Sequence, residues 1–318
     1  MIQNKVVFIQ CIFGLLAILI NFLFPEFVED FRYYLLGIAI LLTGMPHGAI
    51  DHIISFELND HSQTIKNNLQ FYGSYLGLII IYSLLWIYFP MFSFISFMLI
   101  TLYHFGQADA MRFDLEPFWR WAIHLSRGIT VVGLILFANP DYTSPVIESV
   151  TGISIAQVVT GFLSISVLKT GLALCYPVMF IITSLFQYHR FSDFTTALLD
   201  AAVVSLLFFY CDTIWAFSIY FGIWHAFNHI RVMIRFMRLK GTKAGWIWFY
   251  KKSFLYSFLS YLGIALLYFI LDAFGSEELL VFLLFIAISV MTLPHMLIVE
   301  KMYGMFGKSI AGPEAEAH

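Results

Sequence analysis

Apolar runs of membrane-crossing length recur from one end of this chain to the other, with only short polar breaks between them. An α-helix needs about 20 apolar residues to cross roughly 30 Å of hydrocarbon. Within lipid every backbone N–H and C=O must be satisfied by the protein itself, which leaves helices or a closed barrel. A barrel would show segments of roughly ten residues that alternate polar and apolar, and that pattern is absent. With 60% hydrophobic and 12% charged residues among 318, no stretch remains for a water-soluble domain. The expectation is an all-α integral membrane protein, a single transmembrane domain over 1–318 forming a polytopic bundle of about ten helices.

The expected spans are 6–24, 33–56, 71–89, 91–111, 119–138, 168–187, 194–211, 213–237, 248–271 and 279–301, with 304–318 as a flexible cytoplasmic tail. The first run is too long and too aromatic for a signal-peptide core and reads as a retained helix. The pair 71–89 and 91–111, broken at Phe89-Pro90, reads as a hairpin. Polar residues scattered through 145–165 suggest an interfacial amphipathic segment rather than a crossing. Cys11, Cys175 and Cys211 stand isolated in apolar surroundings, so neither a disulfide framework nor a thiolate metal site is expected. Nothing in the charge pattern points to nucleic acid.

Basic residues in short loops mark the cytoplasmic side of a membrane protein. The stretch "IRVMIRFMRLKGTKAGWIWFYKK" carries seven of them and anchors the topology. Counting outward from it puts Lys5, Lys66, Arg112, Arg120, Arg190, Lys301 and Lys308 on the same side. The opposite ends collect Glu26, Glu29, Asp30, Asp141, Asp212, Asp272, Glu277 and Glu278. Both termini then face the cytoplasm. Arg32 and Lys169 fall on the wrong side, and Arg127 lies inside a span.

Five of the ten histidines sit within spans: His47 in "GMPHGAID", His104 in "YHFGQAD", His225 and His229 in "WHAFNH", and His295 in "TLPHM". At 1.5 Å of rise per residue, His47 lies about 15 Å from Glu57, His104 about 12 Å from Arg112, and His225 and His295 each about 9 Å from the nearest basic residue. His229 is nearer still. All five therefore occupy the cytoplasmic half of the bilayer, although they come from four separate helices. Ionisable groups inside a membrane are costly and face the bundle interior, where they mark functional sites. His225 and His229 are four residues apart, one helical turn, the spacing with which a helix offers two ligands to one metal. HxxxH alone is a weak motif, and a single intramembrane histidine is commonly no more than an interhelical hydrogen-bonding residue. The shared depth of the set is what argues for a metal, and imidazole suits iron, copper, zinc or nickel.

Pro46 and Pro294 directly precede His47 and His295. A proline in a helix removes one backbone hydrogen bond and clashes with the carbonyl four residues back, here Leu42 or Val290, so each Pro-His pair suggests a local break built around the imidazole. Asp51 and Asp109 follow their histidines by four and five residues and are candidates to accept the second imidazole N–H, which fixes the tautomer of a metal ligand. Asn228 is a weaker candidate for that outer position. His295 is assigned to it in preference to ligation or packing. His52, His61, His189 and His318 are expected to be solvated or interfacial, and His124 interfacial.

In these same blocks the sequence resembles the Brp/Blh family, membrane β-carotene 15,15'-dioxygenases that supply retinal to microbial rhodopsins. The resemblance rests on "GMPHGAIDH", "YHFGQAD", "WHAFNH" and "TLPHM" in that order, from about residue 40 to about residue 300, with PHGAID where the family usually reads PHGALD. It implies a non-haem Fe(II) centre held by His47, His104, His225 and His229. It also implies central cleavage of β-carotene by O₂ to two all-trans-retinal in a multi-pass protein of the inner membrane, with a functional link to a microbial rhodopsin.

Residue chemistry leaves rivals. Intramembrane histidines also form transit sites in metal-ion or proton transporters, but no inverted repeat of broken helices is present. Histidines can be axial haem ligands. A diiron hydroxylase or desaturase needs about eight histidines in clusters, and only five suitable ones exist here.

Overall fold

A computed structural model describes residues 2–60, 64–110, 113, 115–152, 164–187, 191–239, 243–274 and 279–310. His61, His189, His318, the 153–163 part of the expected amphipathic segment and the tail beyond 310 lie outside them. The described chain is all helical. Among the described residues nine helices are long and apolar enough to cross a membrane, and their outward faces expose rows of Leu, Ile and Phe such as Phe22, Leu23, Ile87 and Phe269. Such faces are tolerable only against lipid. The chain is a multi-pass membrane protein.

The segment 213–237, expected as a tenth crossing, is not among those nine. It consists of helix α11 (Thr213–Ile219), a π-helical turn (Tyr220–Ala226) and helix α12 (Phe227–Phe236). His225, Asn228, His229, Arg231 and Arg235 dilute its hydropathy, so composition alone does not mark it as a span.

Local chemistry accounts for many helix boundaries. Proline opens α2 (Pro25–Ala39), α6 (Pro90–Ala110), α7 (Pro117–Phe137) and α8 (Pro140–Thr151), a position where its missing N–H costs nothing. Thr64 caps α5 (Ile65–Tyr88) and Ser164 caps α9 (Ile165–Phe186) by accepting from the backbone N–H three residues on. Asp212 does the same for Ile214 and Trp215 at the start of α11. These bonds satisfy amides that a helix start leaves open.

The chain falls into two compact units. One comprises 1–40, 101–148 and 153–228, the other 41–100, 149–152 and 229–318. In the first, α1 (Ile2–Leu23) lies along α10 (Phe191–Tyr210), α7 along α9, and α11 along α2. Its apolar core includes Val131, Leu134, Val204, Leu207, Tyr220 and Trp224. Thr130 Oγ1 donates to Leu172 O and accepts from Tyr176 N. A side chain is thus inserted into the α9 ladder one turn before Pro177, a recognised cause of helix bending. In the second unit, α14 (Leu279–Ile310) packs on α4 (Asp51–Leu58) and α5, and α13 (Lys243–Ala273) on α3 (Met45–Gly48). Trp86 Nε1 donates to Ser289 Oγ across that packing.

The three charges that broke the expected topology all have partners within the first unit. Arg32 pairs with Asp212 at 2.8 Å, Lys169 Nζ sits over the Phe209 ring, and Arg127 is buried between two carboxylates.

Candidate metal centre

The expected break at Pro46 is present. Residues Ile40–Gly44 form a π-helical turn between α2 and α3, and three of its carbonyls are met by side chains. Tyr261 Oη donates to Leu41 O at 2.5 Å, Tyr250 Oη to Leu42 O at 3.0 Å, and His47 Nδ1 lies 3.0 Å from Thr43 O. The Leu42 carbonyl that the proline displaces is therefore capped by a tyrosine from α13. A carbonyl only accepts, so His47 Nδ1 carries the proton and Nε2 keeps its lone pair. No matching break occurs at Pro294, since α14 runs unbroken through it. One missing bond is absorbed within a 32-residue helix.

In the second unit three histidine rings form a triangle. His47 lies 5.3 Å from His229 and 5.1 Å from His295, and His229 lies 5.4 Å from His295, centroid to centroid, with steep interplanar angles. His229 Nδ1 is 2.8 Å from Tyr303 Oη. His295 Nδ1 is 2.8 and 3.0 Å from the two Asp51 oxygens, and Asp51 also accepts from Tyr75 Oη at 3.0 Å. The sequence paired Asp51 with His47. The bond found runs to His295 instead, because α14 lies against α4 while His47 turns back on the Thr43 carbonyl. His52 stands apart from the triangle, its ring beside Tyr256 and Tyr72, whose hydroxyls bond each other.

In the first unit His104 and His225 are both buried, with ring centroids 5.0 Å apart. His225 belongs to the π-helical turn of 220–226, and its ring lies between Phe105, at 3.9 Å and nearly parallel, and Phe221, at 5.7 Å. Helix α6 reaches this position because Gly106 and Gly128 let it approach α7 backbone to backbone. A Cβ on Gly106 would meet His124 O at 1.7 Å, and one on Gly128 would meet Leu102 O at 1.8 Å. That close approach buries His124, expected at the interface, to 2% exposure.

Asp109, expected to serve His104, accepts from Arg127 Nε at 3.0 Å and Tyr220 Oη at 2.7 Å. Arg127 also pairs with Asp200 at 3.2 Å, and Asp200 accepts from Trp224 Nε1 at 2.7 Å. Asn228 accepts from Gln10 Nε2 at 3.1 Å, and the same amide donates to Ile223 O at 2.7 Å. Arg127 was visible in the sequence only as a charge out of place. Tyr303, Tyr75 and Asp200 gave no signal, since nothing local distinguishes a tyrosine or aspartate that meets a partner on a distant helix.

Among the described residues no group of three or more histidine, cysteine or acidic side chains stands ready in ligating geometry. The chemistry of the donor set nonetheless fits a borderline cation. The histidines are held among neutral or anionic partners, and those of His47 and His295 fix a protonated Nδ1, leaving Nε2 with a lone pair.

Comparison with known proteins decides the lineage. The family model described as "Beta-carotene 15,15'-dioxygenase" matches residues 38–303. The chain belongs to this family. The β-carotene 15,15'-dioxygenase of an uncultured marine bacterium, 66A03, is similar at 23% identity over 269 residues, covering 83% of this chain and 91% of the relative. No solved structure matches. The match spans His47, His104, His225, His229 and His295 together, so the family signal and the intramembrane histidines coincide, and this member is an enzyme of the β-carotene 15,15'-dioxygenase family.

Proposed function

We propose that the protein is a non-haem iron oxygenase that cleaves the central 15,15' double bond of β-carotene with O₂ to give two all-trans-retinal, the chromophore of a microbial rhodopsin. The observation that carries this reading is a family match over 38–303 whose intramembrane histidines His104, His225, His229 and His295 are buried and whose His47 and His295 have tautomers fixed by hydrogen bonds. His47, His104, His225 and His229 are the proposed ligands, and His225 and His229 follow one another along one helical run. Ferrous iron held by neutral imidazoles supplies O₂ activation, which zinc cannot. One carbon–carbon double bond breaks and two carbon–oxygen double bonds form, so both oxygen atoms enter the products and no external reductant is consumed.

The protein's own contribution is to hold and to exclude. Asp51 keeps His295 in one tautomer and supplies negative charge to offset the ion. The closely packed aromatics Phe105 and Phe221 shut water away from the His225 ring. A polyene without a polar handle partitions into hydrocarbon, so it reaches such a centre sideways from the bilayer, guided by shape and aromatic contact. Polar groups stand in lipid because the substrate is there.

The test is co-expression with a β-carotene pathway, scored by loss of colour and by retinal on chromatography, together with the iron content of the purified protein. Wild type should bleach the cells and carry iron. Ala at His47, His104, His225 or His229 should abolish both. Iron and full retinal yield retained in any of these variants would remove that histidine from the ligand set. Histidine-dependent Zn²⁺ or proton flux in vesicles without retinal formation would favour a transporter instead.

A further inference from the structure

Both carboxylates of the buried cluster Arg127–Asp109–Asp200 bind one short segment. Asp109 takes the Tyr220 hydroxyl and Asp200 takes the Trp224 indole N–H, each at 2.7 Å. Tyr220 and Trp224 lie at the first and fifth positions of the π-helical turn that contains His225. A π turn closes its hydrogen bonds between residues five apart, so Tyr220 and His225 come into register on one face. The rings bear this out: Phe105 stacks on His225 at 3.9 Å and also on Tyr220 at 6.1 Å. Phe105 and Asp109, both on α6 with His104, therefore grip the turn from one side. Asp200 on α10 holds it from another. Arg127 contacts both carboxylates and is itself 1% exposed.

An isolated π turn is poorly stable, because its backbone geometry is less favourable than that of an α-helix. A segment that keeps this form needs side-chain anchors. Left to relax, 220–226 would tighten to α geometry, and the His225 imidazole would rotate out of line with Phe105 and His104. We propose that Tyr220 and Trp224 are positioning residues: anchored through Asp109 and Asp200 to Arg127, they hold the π turn open and so fix the direction of the His225 ring toward the metal. This inference rests on the reading of His225 as a ligand.

The test uses the full-length protein in nanodiscs, stripped of metal, with Co²⁺ as the probe. Tyr220→Phe removes one hydroxyl with little change of shape, and Trp224→Phe removes the other anchor. Their Co²⁺ dissociation constants and ligand-field bands are compared with wild type and with His225→Ala, alongside hydrogen–deuterium exchange of the 220–226 amides. Partners one step out from a ligand typically alter metal affinity by about 10- to 100-fold. The expected result is about tenfold weaker Co²⁺ binding in each single variant, a shifted band, and faster exchange confined to 220–226. Wild-type affinity and bands in both Phe variants, with His225→Ala impaired, would overturn the positioning role while leaving His225 a ligand. Unchanged affinity in His225→Ala would overturn the ligand reading, and with it this inference. A purely structural role would lower thermal stability without moving the dissociation constant or spectrum of the folded fraction, and that outcome also counts against the proposal.

Discussion

His295 Nδ1 lies 2.8 Å from Asp51 Oδ1, joining two helices whose residues are 244 positions apart. Asp51 accepts from Tyr75 as well, so a single buried carboxylate holds two donors and the orientation of one imidazole.

Removing that carboxylate should therefore act on the proposed metal centre and on stability together. Asp51→Ala strands the His295 and Tyr75 donors, at about 1–3 kcal/mol for each buried group left unsatisfied. It also frees the His295 tautomer. The expected outcome is a fall of about 10- to 100-fold in retinal yield with reduced iron per chain, and an intermediate loss for Asp51→Asn, which keeps an acceptor but not the charge. Metal analysis and a retinal assay on purified protein check both, and full iron with full yield in Asp51→Ala would separate this pair from the centre.

The two glycines between α6 and α7 give a sharper stability prediction. Any Cβ on Gly106 overlaps the His124 backbone, and backbone cannot step aside as a flexible side chain can. Overpacking of this kind costs typically 1–3 kcal/mol and sometimes more, so Gly106→Ala and Gly128→Ala should each lower the thermal midpoint markedly and reduce yield. Gly73→Ala is the control. A Cβ there meets nothing within 4 Å, and alanine is the better helix former by about 1 kcal/mol, so the midpoint should hold or rise.

How far the sequence foretold these contacts depended on distance along the chain. The Pro46 break and its displaced Leu42 carbonyl were legible because the cause lies within four residues of the effect, although the same Pro-His pair at Pro294 leaves its helix unbroken. The partner of Asp109 was not: Arg127 is 18 residues on, across a turn, and which of its faces meets α6 is decided by Gly106 and Gly128 packing backbone to backbone. The π turns were equally hidden, since over a single turn a π and an α pattern of apolar residues look alike.

The capping of the first π turn by tyrosines invites a direct probe. Tyr250→Phe and Tyr261→Phe each remove one hydroxyl from the Leu42 or Leu41 carbonyl, worth about 1 kcal/mol apiece. Because His47 leans on Thr43 of the same turn, the double variant should lose retinal yield beyond what its lowered thermal midpoint explains. Yield that simply tracks the folded fraction would show that the turn holds itself.

Arg127 sets the last and largest effect. It is buried and meets two buried carboxylates, Asp109 and Asp200, and breaking a buried ion pair by removing one partner costs about 3–5 kcal/mol because an uncompensated charge is left behind. Arg127→Met should accordingly fold poorly or melt far below wild type. If stranded charge is the cause, then neutralising the partners should restore much of the loss: Arg127→Met/Asp109→Asn/Asp200→Asn keeps acceptors for Tyr220 and Trp224 without leaving anions in a dry core. Thermal unfolding of the three proteins, wild type, single and triple, distinguishes this from a loss of packing. A triple variant no more stable than Arg127→Met would mean that the packing of the arginine, with its guanidinium over the Tyr176 ring, rather than its pairing with the two carboxylates, is what the core requires.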